Sequence, residues 1–333
     1  MPRDGIILQT KIAANASALR RWLSRCEETL GNHSDRLNAI NIFPVADGDT
    51  GTNLYLTLRS ANQAIQSSEG SDLGEVLNLA AEAAMENALG NSGTLLAVLL
   101  AAMSEPMRGA TRLSAPLLAS ALRRAQIRSW SALSDPLQGT MLSVLESAAE
   151  AAAMADSSLN GDDSNHALSL ALDAAVEAAL AAVIRTEEQL SELQAAQVVD
   201  AGGVGLLLVL DCLRAEILHQ DLQENLLDGL AGYDVHDNHI HQSIAVVEGV
   251  EVMCTITLSP LDAATLRMRL DELGDSVVMS PMVQEGEPDS YRWRVHVHTT
   301  ESEKALEAIQ LVGVPENISV SDLRAATHDH ADG

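Results

Sequence analysis

Two carboxylates separated by one glycine, Asp47-Gly48-Asp49, lie within the stretch Asn41-Ile42-Phe43-Pro44-Val45-Ala46-Asp47-Gly48-Asp49-Thr50-Gly51-Thr52-Asn53. No other part of the chain is so dense in groups that can do chemistry. The spacing lets both carboxylates converge on one cation or on a pair of them. Hard oxygen donors of this kind suit Mg²⁺, which is usually held by one or two carboxylates together with the phosphates of a nucleotide. Gly51 permits close backbone approach, and Thr52 supplies a hydroxyl near an expected helix start, where free N–H groups favour phosphate. Taken alone, an acidic D-G-D loop equally suits Ca²⁺ or simply turns the chain.

The elements that must position these groups divide the 333 residues in two. Up to about residue 220 the chain is rich in Ala and Leu and poor in aromatics, with apolar residues recurring three and four apart. That period predicts a bundle of roughly seven to nine helices. Helices are expected over Ile6–Leu30, Asn53–Gln66, Leu73–Ala88, Ser92–Ser104, Ala115–Ser131, Thr140–Ala155, His166–Glu188 and Gly205–His219. Small side chains let such helices approach closely without aromatic filling. Residues 221–242 are polar, carry His236, His239 and His241, and read as a linker or an ordered connection with exposed imidazoles. From residue 243 to 333 the pattern becomes α+β. Strands are expected at Ala245–Leu258, Asp275–Gln284, Tyr291–Thr299 and near Asn317–Val320, and helices at Leu261–Leu273 and Ser302–Val312. The βαββαβ order predicts a ferredoxin-like domain, and His328 and His330 fall in a polar tail.

Composition narrows the partners. A formal net charge of -27 opposes unassisted binding to nucleic acid or to an anionic membrane. It also requires any phosphate site to be built from metal ions and backbone N–H groups. Apolar runs such as Thr94–Met103 fall short of the roughly 20 residues of a membrane span, so no stable membrane insertion is expected. Cys26, Cys212 and Cys254 are far apart, and nothing before them reads as a signal peptide. A soluble, reduced, cytoplasmic protein is the expectation.

Four collinear segments carry a family likeness. Asn41–Asn53 resembles the metal-and-nucleotide motif of the DhaL/Dak-phosphatase family, in particular the N-terminal domain of the fatty acid kinase catalytic subunit. Gly90-Asn91-Ser92-Gly93 is similar to its second glycine-rich loop, Pro136-Leu137-Gln138-Gly139-Thr140-Met141-Leu142 to its P-x-x-G-T loop, and Val198-Val199-Asp200-Ala201-Gly202-Gly203-Val204-Gly205 to its closing motif. The resemblance implies an all-α barrel of about eight helices with ATP held between loops at one end. By position, Asp47 and Asp49 would hold Mg²⁺, with Asn41 as a further ligand, and Thr50, Thr52 and Asn53 would meet phosphate or metal-bound water. Asn91, Ser92 and Gly93 would lie on the β-phosphate side, Gly139, Thr140 and Met141 at the adenine and ribose, and Asp200 and Gly202 at the pocket's edge. Asp47, Asp49 and Thr50 would be the catalytic group. Leu89 stands where close relatives usually have an arginine. On the bland reading Gly90–Gly93 is only a helix break.

The second half resembles the middle domain of the same fatty acid kinase protein, whose zinc site of one cysteine and two histidines would correspond to Cys254, His296 and His298. His296 and His298 are two apart in an expected strand and share a face. Glu251 or water could fill a fourth position. The plain alternative is a buried thiol with two histidines on a solvent-facing strand. A third domain of the full kinase protein is not matched in this chain. The implied activity is ATP-dependent phosphoryl transfer to an acceptor presented by an acyl- or substrate-carrying partner protein, from a homodimer as in relatives. The rivals are a dihydroxyacetone kinase-type subunit of glycerol metabolism and a nucleotide-binding regulatory protein without turnover.

Overall fold

The computed structural model describes residues 12, 14–223, 225–233, 249–284 and 289–323. His236, His239, His241, His328 and His330 lie outside the described residues. Among the described residues nine helices come first: α1 (Ala16–Ala39), α2 (Thr50–Ile65), α3 (Leu73–Glu86), α4 (Gly90–Met107), α5 (Ala115–Ala132), α6 (Met141–Ser158), α7 (Asn165–Gln189), α8 (Ser191–Ala196) and α9 (Ala201–Leu218). Each long helix packs on the next in sequence, and α9 returns to both α1 and α7. Every residue of α9 is buried, as a helix apolar on all sides requires. Its fully buried ion pair, Arg214 to Asp211 at 2.6 Å, is completed by Gln220, the Asp221 carbonyl and the Gln223 N–H, so neither charge is left unpaired.

Local chemistry explains the boundaries that differ from expectation. Helix α1 begins at Ala16 because the Asn15 side chain accepts from the Ala18 N–H and caps it there, while residues 6–11 of the expected helix lie outside the described residues. It then runs through Gly31 to Ala39, since Gly31 is where α1 passes close to the Tyr55 ring of α2. Helix α9 starts at Ala201, earlier than expected, capped by Asp200. The six-residue α8 is too short to show a period. Residues 225–233 fold back on the bundle: Leu226, Leu230 and Tyr233 enter its core, and the Ala231 carbonyl accepts from the Val199 N–H. Helix α7 is long and apolar enough to cross a membrane, yet half of its most apolar window is buried inside the protein.

The remainder is β1 (Val250–Leu258), α10 (Pro260–Leu273), β2 (Asp275–Gln284), β3 (Tyr291–Thr299), α11 (Ser302–Val312) and β4 (Glu316–Asp322). The strands form an antiparallel sheet in the order β2-β3-β1-β4, the ferredoxin-like arrangement. One face carries Val252, Cys254, Ile256, Val295 and Val297 and packs on Leu266, Leu270, Ala305 and Ile309 of the two helices. The other face meets the bundle. There Val278 joins the bundle core and bridges to Leu133, and the Ser134 N–H donates to the Val277 carbonyl at 3.0 Å. The Arg267 guanidinium donates to the carbonyls of Ser131, Ala132 and Met279.

Candidate functional site

The carboxylate loop is held from outside. The Asn38 side-chain oxygen of α1 accepts from the N–H groups of Gly51 and Thr52 at 2.7 and 3.1 Å, capping α2 in place of its own N-cap residue. Asp49 makes no side-chain cap bond, which leaves its carboxylate free to face a cavity. Asn38 had no signature in the sequence, because only the packing of α1 on α2 gives it that role. Beside it, the Asn41 amide donates to Asp47 at 2.6 Å. Burial, then the adjacent Asp49 charge, pushes the Asp47 carboxyl up to about 8. Two carboxyls this close share a proton unless a cation lies between them.

The cavity, of about 640 Å³, lies where bundle and sheet meet. Asn41, Asp47, Asp49, Thr50, Asn53, Asn91, Ser92, Thr140, Met141, Asp200, Gly202 and His298 all line it, and so do Glu251, Asp271 and Asp275. The starts of α2, α4, α6 and α9 converge on it. Helix N-termini concentrate unpaired N–H groups and partial positive charge, so they favour anions. Thr140 and Asp200 cap α6 and α9, whereas Leu89 gives α4 no side-chain cap of its own. Its first residue, Gly90, has φ +59, and a Cβ there would sit 2.3 Å from the Asn53 amide nitrogen. Only glycine fits that approach. The buried Asn91 Oδ1, also on the cavity, has no hydrogen-bond partner. No Lys or Arg is among the described lining residues, although carboxylates are many. A polyphosphate can enter such a site only with metal ions.

Asp200 is buried and pushed up to about 7 by loss of solvation, an effect opposed by N–H bonds from Gly203 and Met141. It therefore ties the start of α6 to the start of α9. Three expected nucleotide contacts do not reach the cavity. Thr52 is turned toward α1, where its hydroxyl accepts from the Asn38 amide at 2.9 Å. Gly93 is a close-packing position, since a Cβ there would lie 2.4 Å from Thr57 Oγ1. Gly139 turns the chain at φ +85 against Gln189 and Leu190, behind the lining residues.

The sheet contributes a separate cluster. Oxygen or nitrogen atoms of Glu251, His296 and His298 lie within 4.8 Å of one another. Cys254 is not part of it. In the β1–β3 register Glu251 pairs with His298 and Met253 with His296, while Cys254 pairs with Val295 on the opposite face, in the core under the helices. Successive residues in a strand point to opposite sides of the sheet, so the thiol cannot join the two imidazoles. Burial lowers His296 well below the ordinary histidine value and brings His298 to about 4, which keeps both neutral and able to ligate. Both ring nitrogens of His296 and Nδ1 of His298 are buried without hydrogen bonds, though Glu251 and Asp275 carboxylates lie 3.3 and 3.8 Å away. Unpaired buried imidazole nitrogens beside a carboxylate fit a transition metal such as Zn²⁺.

Fold and cavity together define a two-domain protein whose helical part gathers an acidic pocket from its loops and whose sheet closes one side. The DAK2 domain matches residues 44–215, and the middle domain of fatty acid kinase A-like proteins matches residues 248–330. The chain belongs to the DAK2 domain family, a kinase-related family, with a fatty acid kinase A-like middle domain attached. Protein YloV of Bacillus subtilis (strain 168) is 28% identical over 309 residues, which are 89% of this chain and 53% of that protein. An uncharacterized protein of Staphylococcus aureus (strain USA300) is 26% identical over 305 residues, again 89% and 53%. The chain thus spans about half the length of the curated relatives it matches.

Proposed function

We propose that this protein is a Mg²⁺-dependent ATP phosphotransferase subunit of the fatty acid kinase type. The observation that carries the reading is the convergence of four helix starts and the Asp47–Asp49 pair on one cavity whose described lining has no side-chain cation. Asp47 and Asp49 hold the metal, and Asn41 orients Asp47 through its amide. The metal, when bound, neutralises the phosphate oxygens. The α4 N-terminus at Asn91 and Ser92 receives phosphate, while Thr140 and Met141 border the nucleoside. Phosphoryl transfer needs charge neutralisation and in-line positioning more than covalent help, so this set is sufficient. Glu251, His296 and His298 hold the second metal, zinc by donor type.

The acceptor is a carboxylate, by the middle-domain likeness a fatty acid presented by a partner protein, and the product an acyl phosphate. The chain works as a homodimer in the cytoplasm. Isothermal titration with ATP, with and without Mg²⁺, tests the site, and transfer of labelled phosphate to an acyl-carrying partner tests the reaction. Turnover with a dihydroxyacetone-binding subunit instead would assign the glycerone kinase reading. Tight ATP binding without any partner-dependent turnover would instead establish a nucleotide-binding regulator.

A further inference from the structure

The segment from the end of α3 to the phosphate-facing start of α4 passes over the sheet, which faces it at residues 86, 88 and 90. Arg292, Arg294 and His296 alternate along β3 and share the face on which Glu251 of β1 lies. Arg292 pairs with the Glu86 carboxylate at 3.3 Å. The buried Arg294 donates from Nη2 to the Ala88 carbonyl at 2.9 Å. The Gly90 N–H lies close enough to the Glu251 carboxylate to favour its charged form. Glu86 at the end of α3, Ala88 in the loop and Gly90 at the start of α4 thus each face a different side chain of the second domain. Leu89, between the last two, is extended at φ -121 and ψ 140, so Ala88 and Gly90 turn to the same side.

We propose that Arg294 is a positioning residue for the phosphate loop: from the second domain it fixes the Ala88 carbonyl, and so sets where the Gly90–Ser92 amides meet the nucleotide's outer phosphates. This rests on the nucleotide reading of the cavity. A guanidinium bonded to a carbonyl in a buried setting is stronger than a neutral pair and directional. Its Nε has no partner, so the residue is kept buried at a cost that packing alone does not explain. A segment held at Glu86 and Ala88 has little freedom to shift, whereas one released at Ala88 can move the amides that follow.

The test uses the full chain. Arg294→Met, Arg294→Lys and Arg292→Gln are titrated with Mg²⁺-ATP and with AMP, and melting curves establish that each is folded. Arg294→Met should weaken Mg²⁺-ATP on the order of tenfold, the worth of one charge-assisted bond, and leave AMP within about twofold, since AMP lacks the outer phosphates. Arg294→Lys should recover part of the loss, and Arg292→Gln should show a smaller loss of the same kind. If Arg294→Met fails to fold, the other two variants carry the reading. Wild-type affinity for Mg²⁺-ATP in the folded variants would overturn the proposal, and so would a parallel loss of ATP and AMP, which marks general distortion. A wild-type chain that binds no Mg²⁺-ATP overturns the nucleotide reading as well, whereas wild-type binding with unaffected variants overturns the positioning role alone.

Discussion

The bundle and the sheet build the two sides of one cavity by different means. On the bundle side, chemistry comes in short contiguous runs at helix starts: Asp47 to Asn53, Gly90 to Ser92, Thr140 to Met141 and Asp200 to Gly202. On the sheet side it comes from alternation and register, with Glu251, Arg294, His296 and His298 brought to one face while Cys254 and Val295 go to the other. Helix-start chemistry can be read locally because its donors and acceptors are neighbours in sequence. Sheet chemistry depends on which residues pair across strands. The comparison teaches that a motif on a loop places its own groups, whereas a motif on a strand is only as good as the register assigned to it.

The largest expected effect tests the bundle side. Asp47→Ala and Asp49→Ala should each weaken Mg²⁺-dependent ATP binding by more than the ~10–100-fold typical of losing an outer-shell partner, with thermal unfolding little changed. Titration calorimetry with unchanged affinity in both variants would sink the assignment. The sheet side is broken by metal content. His296→Ala and Glu251→Gln should reduce bound zinc, while Cys254→Ser should keep it and lose about 1–3 kcal/mol of stability from a hydroxyl buried among aliphatics. Elemental analysis showing metal lost from Cys254→Ser would restore the thiol to the site and overturn the register argument.

A smaller effect concerns pH. Asp200 is raised from 3.8 to about 7 in the folded chain, so the native state holds its proton more tightly than the unfolded one. Stability from this group is complete below about pH 4 and is lost as pH rises through 7. Asp200→Asn, which keeps an acceptor for the Gly203 N–H, should flatten the fall in melting temperature between pH 5 and 8. A slope identical to wild type would show that Asp200 titrates elsewhere. The smallest effect is that of Asn38→Ala, which uncaps α2 from outside and should cost about 1 kcal/mol, measured by denaturant unfolding. It should also loosen the loop that carries Asp49.

Much of the fold was legible. The three- and four-residue spacing located α2 to α7 within a few residues, and alternation located β2 and β3 at their observed ends. The misses have physical causes. Helix α1 extends past Gly31 because the close passage of Tyr55 needs a small residue there, and α9 runs through Gly202, Gly203 and Gly205 because Met141, Val144 and Leu54 crowd those positions. In both cases packing between helices overrides the breaking tendency of glycine. Of the candidate site, Thr52, Gly93 and Gly139 stand beside the cavity without lining it, since a residue one step along a helix or turn faces elsewhere.

By itself the amino-acid sequence determined the family, the succession of a helical and an α+β half, and the identity of the carboxylates, because these rest on residue type and short-range spacing. Only the tertiary structure decided that Asn38 caps α2, that Glu251 rather than Cys254 sits with the two histidines, and that Arg294 reaches the loop before Gly90. Each of those joins residues that lie apart in the chain. Such pairings arise from helix packing, from strand register and from the docking of one half on the other, which no local pattern of residues encodes.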